Sequence, residues 1–179
     1  MNYNLVKTKV QMFFIKLFGG LKPNNNEVNL EKFRNTYSNV LFIFPLGNED
    51  IKLSFMSVQN IIKVFHEKGL KYNFLIDRKF QSSIKLYNAS IFYLDTNKRG
   101  KIINKNKLIS ELKTEKYDLI IDLNKNFNLA ISIIVNKLDA EYKIGSVSKF
   151  SDSFYNIQYS SSINDSGQMS HIEQILGLI

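Results

Sequence analysis

YDLIIDLNKNFNLAISIIVNKLDAEYKIG, residues 117–145, runs from an apolar stretch through a polar break into a second apolar stretch and closes on a short basic piece ending at Gly145. Leu119, Ile120 and Ile121 lie between Asp118 and Asp122. That run is too short to span a bilayer and too apolar for a strand with one wet face. It predicts a strand covered on both faces, as parallel sheets require. Residues 127–138 are long enough for three helical turns, with Leu129, Ile133 and then Asn136 and Lys137 on successive turns. Asn124, Lys125 and Asn126 then form the loop at the carboxyl end of a buried strand, where open α/β sheets place their ligands.

The same beat extends in both directions. Strands are predicted at 40–44, 72–77, 90–95 and 142–146, with an edge strand at 154–160. Helices are predicted at 51–68, with Phe55, Val58, Ile62 and Phe65 inward, then at 108–114 and 170–177, with a short helical piece at 80–87. Strands alternating with helices imply right-handed βαβ crossovers and hence a Rossmann-like three-layer parallel sheet of the α/β class. No internal repeat and no second domain is visible in the 179 residues.

A content of 44% hydrophobic and 22% charged residues is that of a globular domain with a full core. The chain has no cysteine, which excludes a disulfide framework and a thiolate nucleophile. With only His66 and His171 as imidazoles, no metal site is expected. His66, beside Glu67 and Lys68 at a helix end, suits the helix dipole, and His171 reads as a surface or cap-adjacent residue. Part of the net charge of +8 fits the Asn-, Lys- and Ile-rich usage of an AT-rich genome.

The charge is unevenly spread. Residues 1–40 hold six basic residues against Glu27 and Glu31, which is half of the net surplus. Within them, LVKTKVQMFFIKLFGG places Val6, Val10, Phe13, Phe14, Leu17 and Phe18 on one helical face and Lys7, Lys9 and Lys16 largely off it, with Gly19 and Gly20 as a stop. Its apolar part is too short to cross a bilayer and has no cleavage-type ending, so neither a membrane span nor a secretory signal is expected. The domain reading is therefore a basic amphipathic helix at 1–20, a linker at 21–38 and an α/β domain at 39–179. The helix would contact a membrane surface or a protein partner through Lys7, Phe13, Phe14, Lys16 and Phe18, or pack on its own domain.

The loop PLGNED, residues 45–50, bears on cofactors. A dinucleotide site would need a G-x-G-x-x-G turn and a Walker loop a Lys followed by Ser or Thr, but only Gly47 is present. Asn48, Glu49 and Asp50 would also repel a phosphate, so no cofactor is expected. Lys98, Arg99, Lys101, Lys105 and Lys107 form a basic run without interleaved aromatics, which reads as a solvated loop and disfavours nucleic acid.

Taken in order, the loop ending in Asp50, the FLID strand, YDLIIDL with its polar loop, the KIG strand, SDSFYNIQY and SHIEQILGLI resemble the N-terminal half of glycosyltransferase family 9, the bacterial lipopolysaccharide heptosyltransferases. The similarity covers residues 39–179 and rests on collinearity, since each motif is short. It implies a GT-B architecture, with acceptor contacts in the N-terminal half and the nucleotide-sugar held by a C-terminal half. It implies Asp50 as general base on the acceptor hydroxyl, although family members carry Gly where this chain has Glu49. The substrate-binding candidates are Asn48, Asn124, Lys125 and Asn126, and the acceptor a sugar or lipid-linked sugar. The expected setting is cytoplasmic, peripheral at the inner face of the membrane.

Because the resemblance stops near residue 179, the expectation is a half that depends on a partner or is inactive alone. The alternative is a non-catalytic interaction or scaffolding subunit of a membrane-associated complex. In either case the loops 45–50 and 124–126 should lie side by side at the carboxyl edge of the sheet.

Overall fold

In the computed structural model, β1 (Asn39–Ile43) turns Val40 and Phe42, with Phe44 just beyond, into one apolar core and Leu41 and Ile43 into another, leaving all of them fully buried. β4 (Leu119–Asp122) does the same with Leu119 and Ile121 against Ile120. A strand that is apolar on both faces can only be the middle of three layers, and that is the arrangement. The structure describes residues 3–17, 20–24, 28–46, 48–82, 89–160 and 165–178, and the backbone alone for residues 3–5, 30, 35, 48–53, 57 and 165–169.

The remaining strands are β2 (Lys71–Asp77), β3 (Ser90–Leu94), β5 (Tyr142–Ser146) and β6 (Ile157–Tyr159). The helices are α1 (Tyr3–Leu17), α2 (Leu30–Thr36), α3 (Asn48–Glu67), α4 (Lys105–Leu112), α5 (Leu129–Lys137) and α6 (Asp165–Leu176). Among the described residues the strands pair in the order β3-β2-β1-β4-β5-β6, every pair parallel. The chain winds outward from β1 through β2 to β3, then returns to the other side of β1 with β4. The topological switch point therefore lies between β1 and β4.

One face of the sheet is covered by α2, α3 and α6 through Phe33, Val58, Ile61, Phe65, Ile172 and Leu176. The other is covered by α4 and α5 through Leu108, Leu112, Ile131, Ile134 and Val135, and α1 joins this layer through Met12. At the amino edge, a single carboxylate oxygen of Asp118 accepts hydrogen bonds from Ser38 N (2.8 Å), Ser38 Oγ (2.7 Å) and Asn39 N (3.0 Å). This clamp sets where β1 starts beside β4, with Val40 level with Leu119.

Several expectations change in detail. The stretch expected as a linker, 21–38, holds α2, which is capped by Asn29 and buries Phe33 completely. It was inconspicuous because only about two turns of helix follow a run of asparagines. In α5, Leu129 and Ile133 are only partly buried, and Ile131, Ser132, Ile134, Val135 and Asn136 face inward. The helix is apolar nearly all round, so periodicity does not fix its rotation. Hydrogen bonds do: Ser132 to Tyr155, and Asn136 to both backbone groups of Lys22. α4 starts at Lys105 rather than 108, and the edge strand shortens to 157–159. Of the helical piece expected at 80–87, residues 83–87 lie outside the described residues, and a 3₁₀ turn, Arg78–Phe80, overlaps its start.

Candidate functional site

Parallel pairing sends β1 and β4 to the same edge, and the loops that follow them meet there. The backbone N–H of Leu46 donates to Asn124 Oδ1 (3.3 Å), so the loops 45–50 and 124–126 do lie side by side. Beside them opens a cleft of about 580 Å³, a volume suited to a sugar-sized ligand. Its floor is Pro45 and Leu46, and one wall is the backbone and side chains of residues 124–129. The other wall comes from α1, through Lys7, Thr8 and Gln11.

The loop after β4 is held from below by a buried polar network. Asp122, at the end of β4, accepts hydrogen bonds from Tyr155 OH (2.5 Å), Asn124 Nδ2 (2.6 Å) and Asn124 N (3.0 Å). Ser132 Oγ lies 2.9 Å from Tyr155 OH, and Tyr159 OH donates to the carbonyls of Asp122 (2.7 Å) and Asn124 (3.1 Å). Burial pushes the Asp122 carboxyl above its ordinary value, against the opposing pull of the donors from Tyr155 and Asn124. Burial, together with the neighbouring carboxylate, pushes the Tyr155 phenol well above its usual range. The phenol therefore keeps its proton and remains the donor.

The chain then turns into α5 with Asn128 as its N-cap, its side chain accepting from Ala130 N and Ile131 N. This fixes both ends of the segment carrying Lys125 and Asn126. Asn124 itself is 7% exposed, and its amide bridges Asp122 to Leu46. It lines the cleft together with Lys125 and Asn126.

The other described strand-end acids on this edge are committed to internal donors. Asp77, ending β2, binds Thr96 Oγ1 (2.7 Å), Lys79 N (3.2 Å) and Lys79 Nζ (3.0 Å). Asp95, just after β3, binds Arg78 Nε (2.6 Å) and Asn104 Nδ2 (2.9 Å). Lys79 Nζ also donates to Leu46 O (3.1 Å), tying the β2 and β1 loops together. Asn48 and Asp50 stand in the first turn of α3, directly after Leu46 and Gly47. The side chains of Asn48, Glu49 and Asp50 lie outside the described residues, as does Gly47.

The candidates on α1 divide between two surfaces. Lys7 lines the cleft, and sequence reasoning missed Thr8 and Gln11 beside it. Phe13 (63% exposed) and Phe14 (51% exposed) lie on the helix's outer side, where Lys16 is also exposed. Phe18 lies outside the described residues. Among the described residues no helix is long and apolar enough to cross a membrane.

A second cleft, of about 690 Å³, lies at the opposite, amino edge around residues 113–118 and 139–143. Its acids already hold Lys22, Lys32, Lys71 and the Ser38 clamp. Among the described residues neither a strand's carboxyl end nor a helix N-terminus lines it, so the switch-point cleft is the better candidate.

No family model matches this sequence, and no curated protein does. Solved structures do share its fold. The E. coli heptosyltransferase WaaC bound to ADP-2-deoxy-2-fluoro heptose aligns with a TM-score of 0.58 at 13% identity, covering 78% of this chain and 48% of that one. The glycosyltransferase of family 9 from Veillonella parvula DSM 2008 aligns at 0.62 and 17% identity, covering 87% of this chain and 44% of the other. The chain thus spans somewhat under half the length of the structures it resembles. The parallel α/β domain of family 9 glycosyltransferases, expected from the sequence, is the fold observed.

Proposed function

We propose that these residues form the acceptor-side half of a heptosyltransferase-like glycosyltransferase, with the switch-point cleft holding the acceptor sugar. One observation carries the reading: in a fold shared with part of WaaC, a polar cleft opens at the β1/β4 edge where every described strand-end carboxylate already has internal partners. The first turn of α3 brings acids to this edge, and among them Asp50 is the residue that the family resemblance assigns as the base. A carboxylate at a helix N-terminus is stabilised in its ionised form, which suits a base acting on a sugar hydroxyl.

In this reading the acceptor oxygen attacks the anomeric carbon of the donor, the bond to the nucleoside diphosphate breaks, and the hydroxyl proton passes to Asp50. Asn48, Lys125 and Asn126 orient the acceptor. The departing diphosphate needs hydrogen-bond donors or cations of its own, and a second domain outside these residues supplies them. These residues on their own therefore hold nucleotide-sugars only weakly. Its setting is the cytoplasmic face of a membrane that presents a lipid-linked acceptor.

The test is sugar transfer from labelled ADP- and UDP-sugars to envelope lipids in membranes containing the protein. Asp50→Asn should lower the rate by about 10²-fold or more, the size of a lost general base. Undiminished transfer with Asp50→Asn would remove the assignment. A second reading, a non-catalytic interaction subunit of a membrane-associated complex, is favoured by the exposed apolar side of α1. It predicts stable co-purification with partner chains and no dependence of any transfer on Asp50.

A further inference from the structure

α1 is docked by one face and carries a second apolar face that the domain does not cover. Met12 is buried to 3% exposure among the core residues under α4 and α5, and Thr8 and Ile15, on the same side, are half-buried. Val10, Phe13, Phe14 and Leu17 are 51%, 63%, 51% and 62% exposed. At about 100° per residue these four span about 100° of arc, centred about 180° from Thr8, Met12 and Ile15. The rings of Phe13 and Phe14 meet edge-on at 5.8 Å, making one continuous apolar surface. Exposed Lys7 flanks this stripe on one side, and exposed Lys9 and Lys16 flank it on the other.

We propose that this stripe is a docking surface for an anionic lipid bilayer, with the phenylalanines and Leu17 entering the acyl boundary and the flanking lysines meeting lipid phosphates. Charge complementarity selects this occupant. The first acidic residue of the chain is Glu27, so α1 itself carries no acid, and the acid that shares a cavity with Lys16, Asp152, already accepts from Gln158 Nε2 (2.7 Å). Pairing with the same stripe of a second copy would set lysine rims against each other without a counter-charge, whereas an anionic leaflet attracts every one of them. An apolar face bordered by lysines is also the composition of helices that lie in the interface plane. Because Lys7, Thr8 and Gln11 of the same helix wall the switch-point cleft, docking sets the mouth of that cleft within roughly one helix diameter, about 10 Å, of the headgroups. The inference rests on α1 alone and holds whether or not the cleft transfers sugar.

The experiment is co-sedimentation of the full chain with vesicles of phosphatidylglycerol and phosphatidylethanolamine, and with vesicles of phosphatidylcholine. Strong binding is expected to the first and weak binding to the second. Phe13→Ser combined with Leu17→Ser should weaken partitioning at least about tenfold. Lys9→Gln combined with Lys16→Gln should cost about fivefold per lysine on anionic vesicles only. Ile103→Ser, at an apolar residue 65% exposed elsewhere, should change nothing. All substituted side chains are exposed, so urea midpoints should match the parent and confirm folding. Absence of wild-type binding, or equal binding by the Phe13/Leu17 variant, would overturn the proposal. A wild-type dimer that this variant dissociates, without vesicle binding, would overturn it in favour of a second copy.

Discussion

Gly145 and Tyr155 are in direct contact: a Cβ on Gly145 would lie 2.6 Å from two atoms of the Tyr155 ring. Gly145 sits in the middle of β5, where a glycine costs stability, and it is needed there because the ring crosses the strand on its way to Asp122. The short KIG and SDSFYNIQY motifs thus meet at one point, beneath the loop that walls the cleft.

Gly145→Ala should therefore destabilise the fold by about 1–3 kcal/mol through overpacking. Urea denaturation would show this as a lower midpoint. Adding Tyr155→Leu should recover part of the loss, because the two changes act on one contact. An unchanged midpoint for Gly145→Ala would contradict the packing described.

Tyr155→Phe keeps the ring and removes one donor from a fully buried carboxylate, which should cost about 1–3 kcal/mol. The sign of its pH dependence follows from Asp122. Burial already raises this carboxyl in the folded state, and the Tyr155 hydrogen bond opposes that rise, so the variant's folded pKa should be higher still. A group with a raised folded pKa loses its stabilising contribution as pH increases. The gap between wild type and Tyr155→Phe should widen as pH rises through the wild-type folded value of Asp122, which lies above the ordinary carboxylate value of 3.8. A gap that narrows with rising pH would contradict this.

The legible part of this fold was the part that hydrophobicity alone determines. Leu119 to Ile121 and Val40 to Phe44 are apolar on both faces, which left them no place except the centre of a parallel sheet. The meeting of loops 45–50 and 124–126 followed from strand order. The Asp122, Tyr155 and Ser132 network was not legible, because polar residues 10 to 33 positions apart have no periodic signature. Gly145 within an apolar strand was the one available hint, since such a glycine often marks the close approach of another group. Nor could the cleft wall made by Lys7, Thr8 and Gln11 be read, because the rotation of α1 depends on which side of a short helix docks through Met12.

At the amino edge the direction of pH dependence reverses. Burial tends to raise the Asp118 carboxyl, but the three hydrogen bonds from Ser38 and Asn39 outweigh it and hold the carboxyl below its ordinary value of 3.8. Its stabilisation is then fully present at neutral pH and is lost as pH falls through the lowered folded value. Asp118→Asn should be less stable than wild type by about 1–2 kcal/mol at pH 7, with the difference shrinking below pH 4. Chemical denaturation at several pH values would reveal a difference that instead grows in acid.

Removing residues 1–20 takes away α1, among whose described side chains Met12 is the one fully buried apolar anchor, and should leave cooperative unfolding of the sheet. Removing residues 1–38 also takes Phe33 and Tyr37 from the core, and Phe33→Ala alone should cost about 3–5 kcal/mol. Calorimetric transitions of the two truncations separate an appended helix from an integral one. Equal melting of both would contradict the place given to α2.

The most direct test of the proposed site is amide chemical-shift mapping of the full chain titrated with a panel of bacterial core oligosaccharides and their lipid-linked forms. The account predicts saturable shifts at Leu46, in the first turn of α3 and at residues 124–128, with residues 113–118 and 139–143 unmoved. Nucleotide-sugars alone should produce only weak, salt-sensitive shifts. Saturable shifts confined to the amino-edge cleft, or a nucleotide-sugar bound tightly at the switch point in place of an acceptor, would contradict it.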